Sequence, residues 1–447
     1  MINRNIKIFS TFLVLACFVQ LVPAQALEPI PSEVGQLEPV TTKPVPMSDA
    51  IAPGWVVSAV RFEGLHHTNL STVEREVQAK PGQVCDSACV KGDLDRLERL
   101  GAFAGLTSFR KGDTLVYKLI ELPLVVPVPN GRIADEEGIS LGAGLKAPNL
   151  FGRAVAGEFL FLLGHSTEWQ LNMGAPRFGA LPIGWELFTS RTDRRDEARA
   201  YKEVSYTSRA SGQFPTDSRL RGLAEFQVTQ FRSDRDGIAL SPDRQDVIPM
   251  FRAGGLWDGR DRVSLTTSGL YQELSIKKSG RPLNGPVDSW EYLSDTRAWL
   301  PISSRWGMHA SHLLQVQTGR TGGWQTFVLG GANTVRGLPP SWANAPSEEI
   351  ASLEMRWLAK PVRPVDVFGA NLFYGLQLVA GVDAGVAWKD EWGERKGFGL
   401  FGGADLVVPF LERVRFVVSQ SPTGGKWTAR YGVGLFEKTV IERYRVR

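Results

Sequence analysis

The sequence is poor in cysteine, histidine and net charge, and beyond its first residues it has no long hydrophobic run. Its 447 residues include 3 Cys and 5 His, and the formal net charge is +4. So small a positive charge gives no argument for nucleic acid as a partner. No later apolar run approaches the roughly 20 residues that a transmembrane helix needs, which argues against a helical membrane protein. The 13 Trp and 23 Phe argue equally against a disordered chain.

Motifs for catalysis are also lacking. The sequence has no Gly-x-Ser-x-Gly motif of the kind that positions a nucleophilic serine. His309 and His312 lie three residues apart on a predicted strand, so their side chains point to opposite faces. We therefore expect a protein that is not an enzyme, and no feature requires a cofactor.

The first 26 residues are predicted to be a signal peptide. Arg4 and Lys7 precede a mostly apolar segment over residues 8–22, and Ala24-Gln25-Ala26 fits a cleavage site. Cys17 leaves open the alternative of a lipid-modified N-terminus. Either interpretation places the mature protein outside the cytoplasm.

Two cysteines remain after the signal peptide, Cys85 and Cys89. In an oxidising compartment they could form a disulfide, or they could stay as two free thiols. The neighbouring His66 and His67 do not complete the ligand spacing of a zinc finger, so we expect no metal site.

Residues 27–53 contain six prolines and no aromatic residue, which predicts an extended linker. Residues 54–124 then show the order β-α-α-β-β. A strand is predicted near residues 56–62, a helix from the Ser71/Glu74 capping box to about Lys80, a helix over 93–100, and strands over 105–110 and 115–122.

This order resembles a POTRA domain, in which an open strand edge can add an extended peptide to the sheet. The two last strands, Gly105–Arg110 and Leu115–Leu122, are the candidate edges. The alternative is a small α+β spacer without a ligand. Residues 125–136 are expected to form a second linker, and residues 437–447 a basic tail.

Residues 137–436 alternate between apolar and polar positions in about 16 segments. In residues 168–175, for example, Trp169 and Leu171 face one way and Gln170 and Asn172 the other. A membrane barrel turns its apolar face to lipid and its polar face to a wet interior. About 19 residues per segment suits tilted strands of roughly 9–11 residues with their connections. We therefore expect a mainly β fold, a 16-stranded transmembrane antiparallel β-barrel preceded by one small α+β domain.

Several motifs follow one another in the order of a known family. They are Asn149-Leu150-Phe151-Gly152, Trp257-Asp258-Gly259-Arg260-Asp261, Leu329-Gly330-Gly331, Val335-Arg336-Gly337-Leu338, Glu354 and Gly381-Val382-Asp383-Ala384-Gly385. In order and spacing they resemble the BamA/TamA superfamily of outer-membrane assembly and translocation barrels. The first motif is similar to the family's turn after the first barrel strand.

The resemblance implies that Val335, Arg336, Gly337 and Leu338 form the tip of a long sixth extracellular loop, with Leu338 in place of the usual aromatic residue. It also implies that Glu354 lies on the twelfth strand and Asp383 on the thirteenth. Alternation turns both carboxylates toward the lumen, where they match the planar fork of an arginine. We expect Arg336 to fold into the lumen and engage Asp383, with Glu354 nearby. The alternative is that these charges only solvate the interior.

The resemblance further implies that the first and last strands pair poorly, so that the barrel can open sideways. Glycine weakens strands, and we expect the gate strands to contain Gly138, Gly142 and Gly144 at the beginning and Tyr431, Gly432 and Gly434 at the end. The end of the last strand is less well defined, because Phe436 does not follow the alternation of apolar and polar residues before it and the chain continues to Arg447.

Together these features predict a non-enzymatic bacterial outer-membrane barrel that assists insertion or translocation of polypeptides, with the POTRA-like domain in the periplasm. The expected partners are unfolded outer-membrane or secreted polypeptides, outer-membrane lipids, and periplasmic or lipoprotein accessory factors. Nucleic acid is not expected. The alternatives are a passive porin or ligand channel and, within the family, a two-partner secretion pore or a lipid-handling protein.

Overall fold

The computed structural model describes residues 55–134, 138–196, 201–215, 219–261, 266–283, 285–331, 334–339, 342–367, 370–407, 414–422 and 428–433. The predicted signal peptide with Cys17, the 27–53 linker, Gly434 and the basic tail lie outside these residues.

The first part of the described chain is a small α+β domain. Its elements are β1 (Ala59–Glu63), α1 (Leu70–Glu74), α2 (Ser87–Glu98), β2 (Phe103–Lys111) and β3 (Thr114–Glu121). The predicted β-α-α-β-β order is therefore observed. The sheet has the order β1-β3-β2, with β1 parallel and β2 antiparallel to β3. Because β3 is central, the expectation that Leu115–Leu122 is an open edge is wrong, and the edges are β1 and β2.

The first helix is shorter than its sequence predicts. α1 ends at Glu74, and the predicted cap Ser71 lies inside it rather than at its N-cap. The carboxylate of Asp93 accepts hydrogen bonds from the backbone N–H groups of Gln78 at 2.8 Å and Ala79 at 3.2 Å. Since those N–H groups serve a tertiary contact, the helix cannot continue through them.

The second helix begins earlier than its apolar spacing predicts. Asp86 is its N-cap residue and accepts a hydrogen bond from the backbone N–H of Cys89 at 2.8 Å, so the helix begins at Ser87. Cys89 is joined to the buried Cys85 in a disulfide, with a Cα–Cα distance of 5.5 Å. Within the described ranges, no α-helix combines the length and apolar character needed to cross a membrane.

The carboxylate of Asp93 is fully buried in the domain core. The hydroxyl of Tyr117 donates to Asp93 Oδ2 at 2.6 Å, and Arg96 forms an ion pair with the same carboxylate. Burial, followed by the hydrogen bond to Asp93, raises the pKa of Tyr117 well above its usual range.

Among the residues that the structure describes, sixteen further strands form one antiparallel sheet. They are β4 (Val126–Ala134), β5 (Gly138–Leu150), β6 (Val155–Gly164), β7 (Ser166–Ala175), β8 (Gly184–Asp196), β9 (Tyr201–Pro215), β10 (Leu220–Ser233), β11 (Gln245–Asp258), β12 (Gly269–Gly280), β13 (Asp288–Pro301), β14 (Trp306–Arg320), β17 (Ser347–Val367), β18 (Ala370–Trp388), β19 (Arg395–Val407), β20 (Val414–Gln420) and β21 (Thr428–Val433). Each strand pairs with the next, and β14 pairs with β17. Between these two, β15 (Phe327–Leu329) and β16 (Ala343–Ala345) form a separate hairpin.

The ring is completed where β21 meets β4. Among the described residues this junction, which we call the seam, consists of two residue pairs, Tyr431↔Ile133 and Gly432↔Arg132. By comparison, β4 pairs with β5 over nine residues and β21 with β20 over six. The seam joins the first and last strands of the closed barrel.

The expected linker over 125–136 is wrong, because Val126–Ala134 is the first strand of the large sheet. Pro127 and Pro129 favoured a linker. Proline is tolerated in a strand at positions where no ladder hydrogen bond needs its N–H. Pro127 and Pro129 lie in β4 opposite Leu145 and Ala143 of β5. The segment with Gly138, Gly142 and Gly144 is consequently the second strand, β5.

Side chains alternate along the strands with the apolar face outward. On β10, Phe226 is 46% exposed and its neighbour Glu225 is 6% exposed. On β17, Leu353 is 43% exposed and Glu354 is 1% exposed. Exposed apolar and enclosed charged residues are the reverse of a soluble β-sandwich and the pattern of a barrel in lipid.

The small domain contacts one end of the sheet, which we call the near rim. Asn149 Nδ2 donates to Thr68 Oγ1 at 2.7 Å, and Ala154, in the turn after β5, is buried in the core of the small domain. Beyond β7, Arg177 Nε donates to Glu76 Oε1 at 2.7 Å. Because neighbouring strands are antiparallel, the loop that follows β14 begins at the opposite end, the far rim.

Candidate functional site

The loop between β14 and β17 enters the lumen of the sheet. The hairpin of β15 and β16 gives it a fixed base, and the segment Val335–Leu338 forms its tip. Val335 and Leu338 are fully buried and pack with Leu329 and Ile350 in one apolar cluster. Leu338, which stands where the family resemblance implies an aromatic residue, is therefore a buried anchor of the tip.

Arg336 makes five hydrogen bonds inside this enclosure. Its backbone N–H donates to Asp383 Oδ2 at 3.0 Å, and its Nε and Nη2 donate to Asp383 Oδ2 and Oδ1 at 2.6 and 2.7 Å. Nη2 also donates to Ser352 Oγ at 3.0 Å, and Nη1 to Glu354 Oε2 at 3.3 Å. The guanidinium lies over the ring of Phe401, 3.3 Å from its centroid. The structure thus brings together the three residues Arg336, Asp383 and Glu354.

Glu354 is the shared acceptor of a larger network. Arg356 Nε donates to its Oε1 at 2.6 Å, and Arg415 donates to Oε2 at 3.2 Å and to Oε1 at 3.1 Å. Arg415 also forms a bidentate pair with Asp405, both distances being 2.6 Å. Three guanidinium groups and three carboxylates therefore balance in a site where Asp383, Asp405 and Glu354 are almost fully buried.

Sequence reasoning missed Arg415 and Asp405. Both lie at polar positions of alternating strands, a signal that many lumenal charges share. Their pairing depends on the register of β19 with β20, in which Asp405 stands directly opposite Arg415. That register could have identified the pair, since oppositely charged residues facing each other on one sheet surface attract.

Glycine allows the loop tip to lie against the barrel wall. Gly337 has φ +94°, and a Cβ built there would come 2.5 Å from the backbone carbon of Gln420. On β19, a Cβ at Gly399 would lie 1.8 Å from the carbonyl oxygen of Arg336. The tip therefore contacts backbone directly on both β19 and β20.

The predicted gate glycines on the N-terminal side do not lie at the seam. Gly142 packs against β6, where a Cβ would come 1.8 Å from the carbonyl oxygen of Phe161. Its role is close contact between β5 and β6. Tyr431 and Gly432 do lie at the seam, opposite Ile133 and Arg132.

The geometry has the features of a site that holds the loop tip in place. Arg336, Arg356 and Arg415 each form an ion pair with Asp383, Asp405 or Glu354. Bidentate arginine–carboxylate pairs fix orientation as well as distance. Fold and site together define a large antiparallel β-barrel with a lumenal loop and an attached α+β domain.

Comparison with known proteins agrees with this class. Residues 149–436, which include the whole lumenal site, match the Omp85 superfamily domain. The chain therefore belongs to the Omp85 superfamily of outer-membrane β-barrels for polypeptide insertion and translocation. No curated protein sequence is significantly similar to it.

Solved structures with the same fold include two kinds of protein. BamA from Haemophilus ducreyi lacking POTRA domains 1–3 is 17% identical with a TM-score of 0.60, covering 84% of this chain and 83% of that chain. CdiB from Acinetobacter baumannii is 11% identical with a TM-score of 0.58, covering 85% and 74%. CdiB from Escherichia coli is 11% identical with a TM-score of 0.53, covering 90% and 94%.

Proposed function

We propose that this protein inserts or translocates polypeptides at the bacterial outer membrane through sideways opening of the barrel at the seam. The observation that carries the proposal is the match of residues 149–436 to the Omp85 superfamily domain, in a barrel whose first and last strands, β4 and β21, meet at the seam. In lipid, each unsatisfied backbone group costs several kcal/mol. An edge strand released at the seam therefore offers hydrogen bonds that a client strand cannot obtain from lipid.

The lumenal loop acts as a lock in this proposal. Arg336 ties the loop tip to β18 through Asp383 and to β17 through Glu354 and Ser352. The anchored loop lies within the region that matches the Omp85 superfamily domain, and this match favours an insertion or translocation machine over a passive porin.

The small domain is proposed to be POTRA-like and to lie in the periplasm, where it receives unfolded polypeptides. Its edge strands β1 and β2 leave backbone groups for an added strand, and β2 is the antiparallel edge. Its contacts with the near rim hold it beside the barrel entrance. No cofactor is required for strand addition.

The test is a reversible disulfide across the seam. Ile133→Cys with Tyr431→Cys joins directly opposed residues, whose Cα atoms in an antiparallel pair lie about 4.5–5.5 Å apart and within disulfide range. The variant is reconstituted in lipid vesicles, and insertion of an unfolded barrel client is followed by its heat-modifiable gel mobility. We expect insertion to stop after oxidation and to recover after reduction.

The matched control joins two strands away from the seam, with Leu171→Cys and Thr189→Cys on β7 and β8. Oxidation of this control should leave insertion unchanged. Undiminished insertion with the seam closed would contradict sideways opening. A large, steady conductance without any insertion would instead favour the passive channel.

A further inference from the structure

Arg415 joins the lumenal lock to the strand next to the seam. It lies on β20, which pairs with β21 over six residues, and β21 is the seam strand. Its guanidinium contacts Glu354 on β17, three strands away in the sheet order. Arg415 is 6% exposed and Glu354 1% exposed, so water does little to screen this contact.

Glu354 is held from two sides. Its Oε2 accepts from Arg336 on the loop at 3.3 Å and from Arg415 on the barrel wall at 3.2 Å. A single carboxylate oxygen therefore bridges the loop tip and the barrel wall beside the seam. Asp405 on the neighbouring strand β19 fixes the other face of the Arg415 fork, with both distances at 2.6 Å.

The loop tip contacts the same part of the wall. The backbone of Gly337 lies against Gln420 at the end of β20, and the carbonyl of Arg336 lies against Gly399 on β19. Loop position and β20 position are thus connected at two levels, through the Glu354 bridge and through direct backbone contact.

We infer that Arg415 is a positioning residue that couples the locked loop to closure of the seam, an inference that rests on the proposed function. With Arg415 in place, β20 is held inward by Glu354 and Asp405. Without it, both carboxylates lose their common guanidinium, and removing one member of a buried, hydrogen-bonded charge pair is strongly destabilising. The wall can relieve this by moving β20 and β21 outward, which separates β21 from β4.

The experiment measures seam closure without any client. The Ile133→Cys/Tyr431→Cys protein, with its native Cys85–Cys89 disulfide in place, is exposed to a mild oxidant in vesicles, and the rate of cross-link formation is read from gel mobility. Arg415→Gln is expected to slow cross-linking by roughly tenfold, which corresponds to about 1.4 kcal/mol in favour of the open seam. Asp405→Asn, which keeps the Glu354 contact, should slow it less.

Arg297→Gln is the matched control, since Arg297 is a lumenal arginine that pairs with Asp295 on β13, away from the seam. Heat-modifiable mobility of each variant establishes that its barrel has formed. An unchanged cross-linking rate in folded Arg415→Gln, or equal slowing in Arg297→Gln, overturns the coupling. If Arg415→Gln does not fold, Asp405→Asn replaces it in the test, and an unchanged cross-linking rate in folded Asp405→Asn overturns the coupling.

This readout separates the coupling from the proposed function. If wild-type protein inserts client and Arg336→Ala slows cross-linking while Arg415→Gln does not, the lock stands and the coupling is wrong. If wild-type protein inserts no client at all, the proposed function fails, whatever the cross-linking rates of the variants.

Discussion

Replacing Arg336 by alanine tests the lumenal lock most simply. The side chain makes four of the five hydrogen bonds of this residue, to Asp383, Ser352 and Glu354, and it stacks on Phe401. The backbone bond from residue 336 to Asp383 survives the change. Glu354 also keeps its contacts with Arg356 and Arg415, so the barrel itself should still form.

The magnitude follows from burial. Asp383 has no exposed surface and loses both side-chain donors of its bidentate pair. Truncating one partner of a buried, hydrogen-bonded charge pair costs about 2–5 kcal/mol. An exposed pair would be worth only about 0.2–1 kcal/mol. At a factor of ten per 1.4 kcal/mol, even about 2 kcal/mol raises the released fraction of the loop roughly 30-fold.

The assay is limited proteolysis of the loop over residues 321–346 in the folded barrel. We expect faster cleavage in Arg336→Ala and in Asp383→Ala, with a double mutant much less than additive because both changes remove one interaction. Arg336→Lys should restore little protection, since an ammonium group lacks the planar fork. Cleavage of Arg336→Ala at the wild-type rate would refute the lock, as would full additivity of the two substitutions.

Three further predictions concern other contacts. Gly399→Ala should speed cleavage of the same loop, because its Cβ would lie 1.8 Å from the Arg336 carbonyl, whereas Gly402→Ala, with 3.8 Å to its nearest neighbour, should not. Asn149→Ala should raise amide exchange in the small domain, since Asn149 forms hydrogen bonds with Thr68 and with Ala154 in the turn before β6. An exchange rate equal to that of the wild-type protein would show that this contact does not stabilise the domain. The pKa of Tyr117 is raised in the folded domain, so above pH ~10, where the tyrosine of the unfolded chain ionises, the small domain should lose stability. The loss, measured by amide exchange, should be smaller in Tyr117→Phe. An identical loss in this variant would show that Tyr117 does not cause it.

The parts of the site that were predictable from sequence depend on local pattern. Arg336 lies in a short motif with flanking glycine, and strict alternation assigns Glu354 and Asp383 to the enclosed face without any knowledge of their neighbours. Arg415 and Asp405 follow the same alternation. Their pairing with each other depends on the register between β19 and β20, which cannot be derived from the residues of one strand alone.

The difference between local pattern and long-range contacts also explains which predictions about the fold were wrong. Pro127 and Pro129 oppose strand structure locally, yet both lie in β4, opposite Leu145 and Ala143 of β5. The first helix was predicted too long because Asp93, which terminates its continuation, comes from the second helix. In each case a tertiary partner overrides a correct reading of local preference.

Site-specific photocross-linking to a client tests the central claim, sideways opening at the seam, most directly. A photoreactive amino acid is placed at position 133 on β4 and, as control, at Leu171, an outward-facing residue of the fully paired strand β7. During insertion of an unfolded barrel protein into vesicles, the account predicts client adducts at position 133 and none above background at position 171. Equal adducts at both positions, or none at position 133 while insertion proceeds, would contradict it.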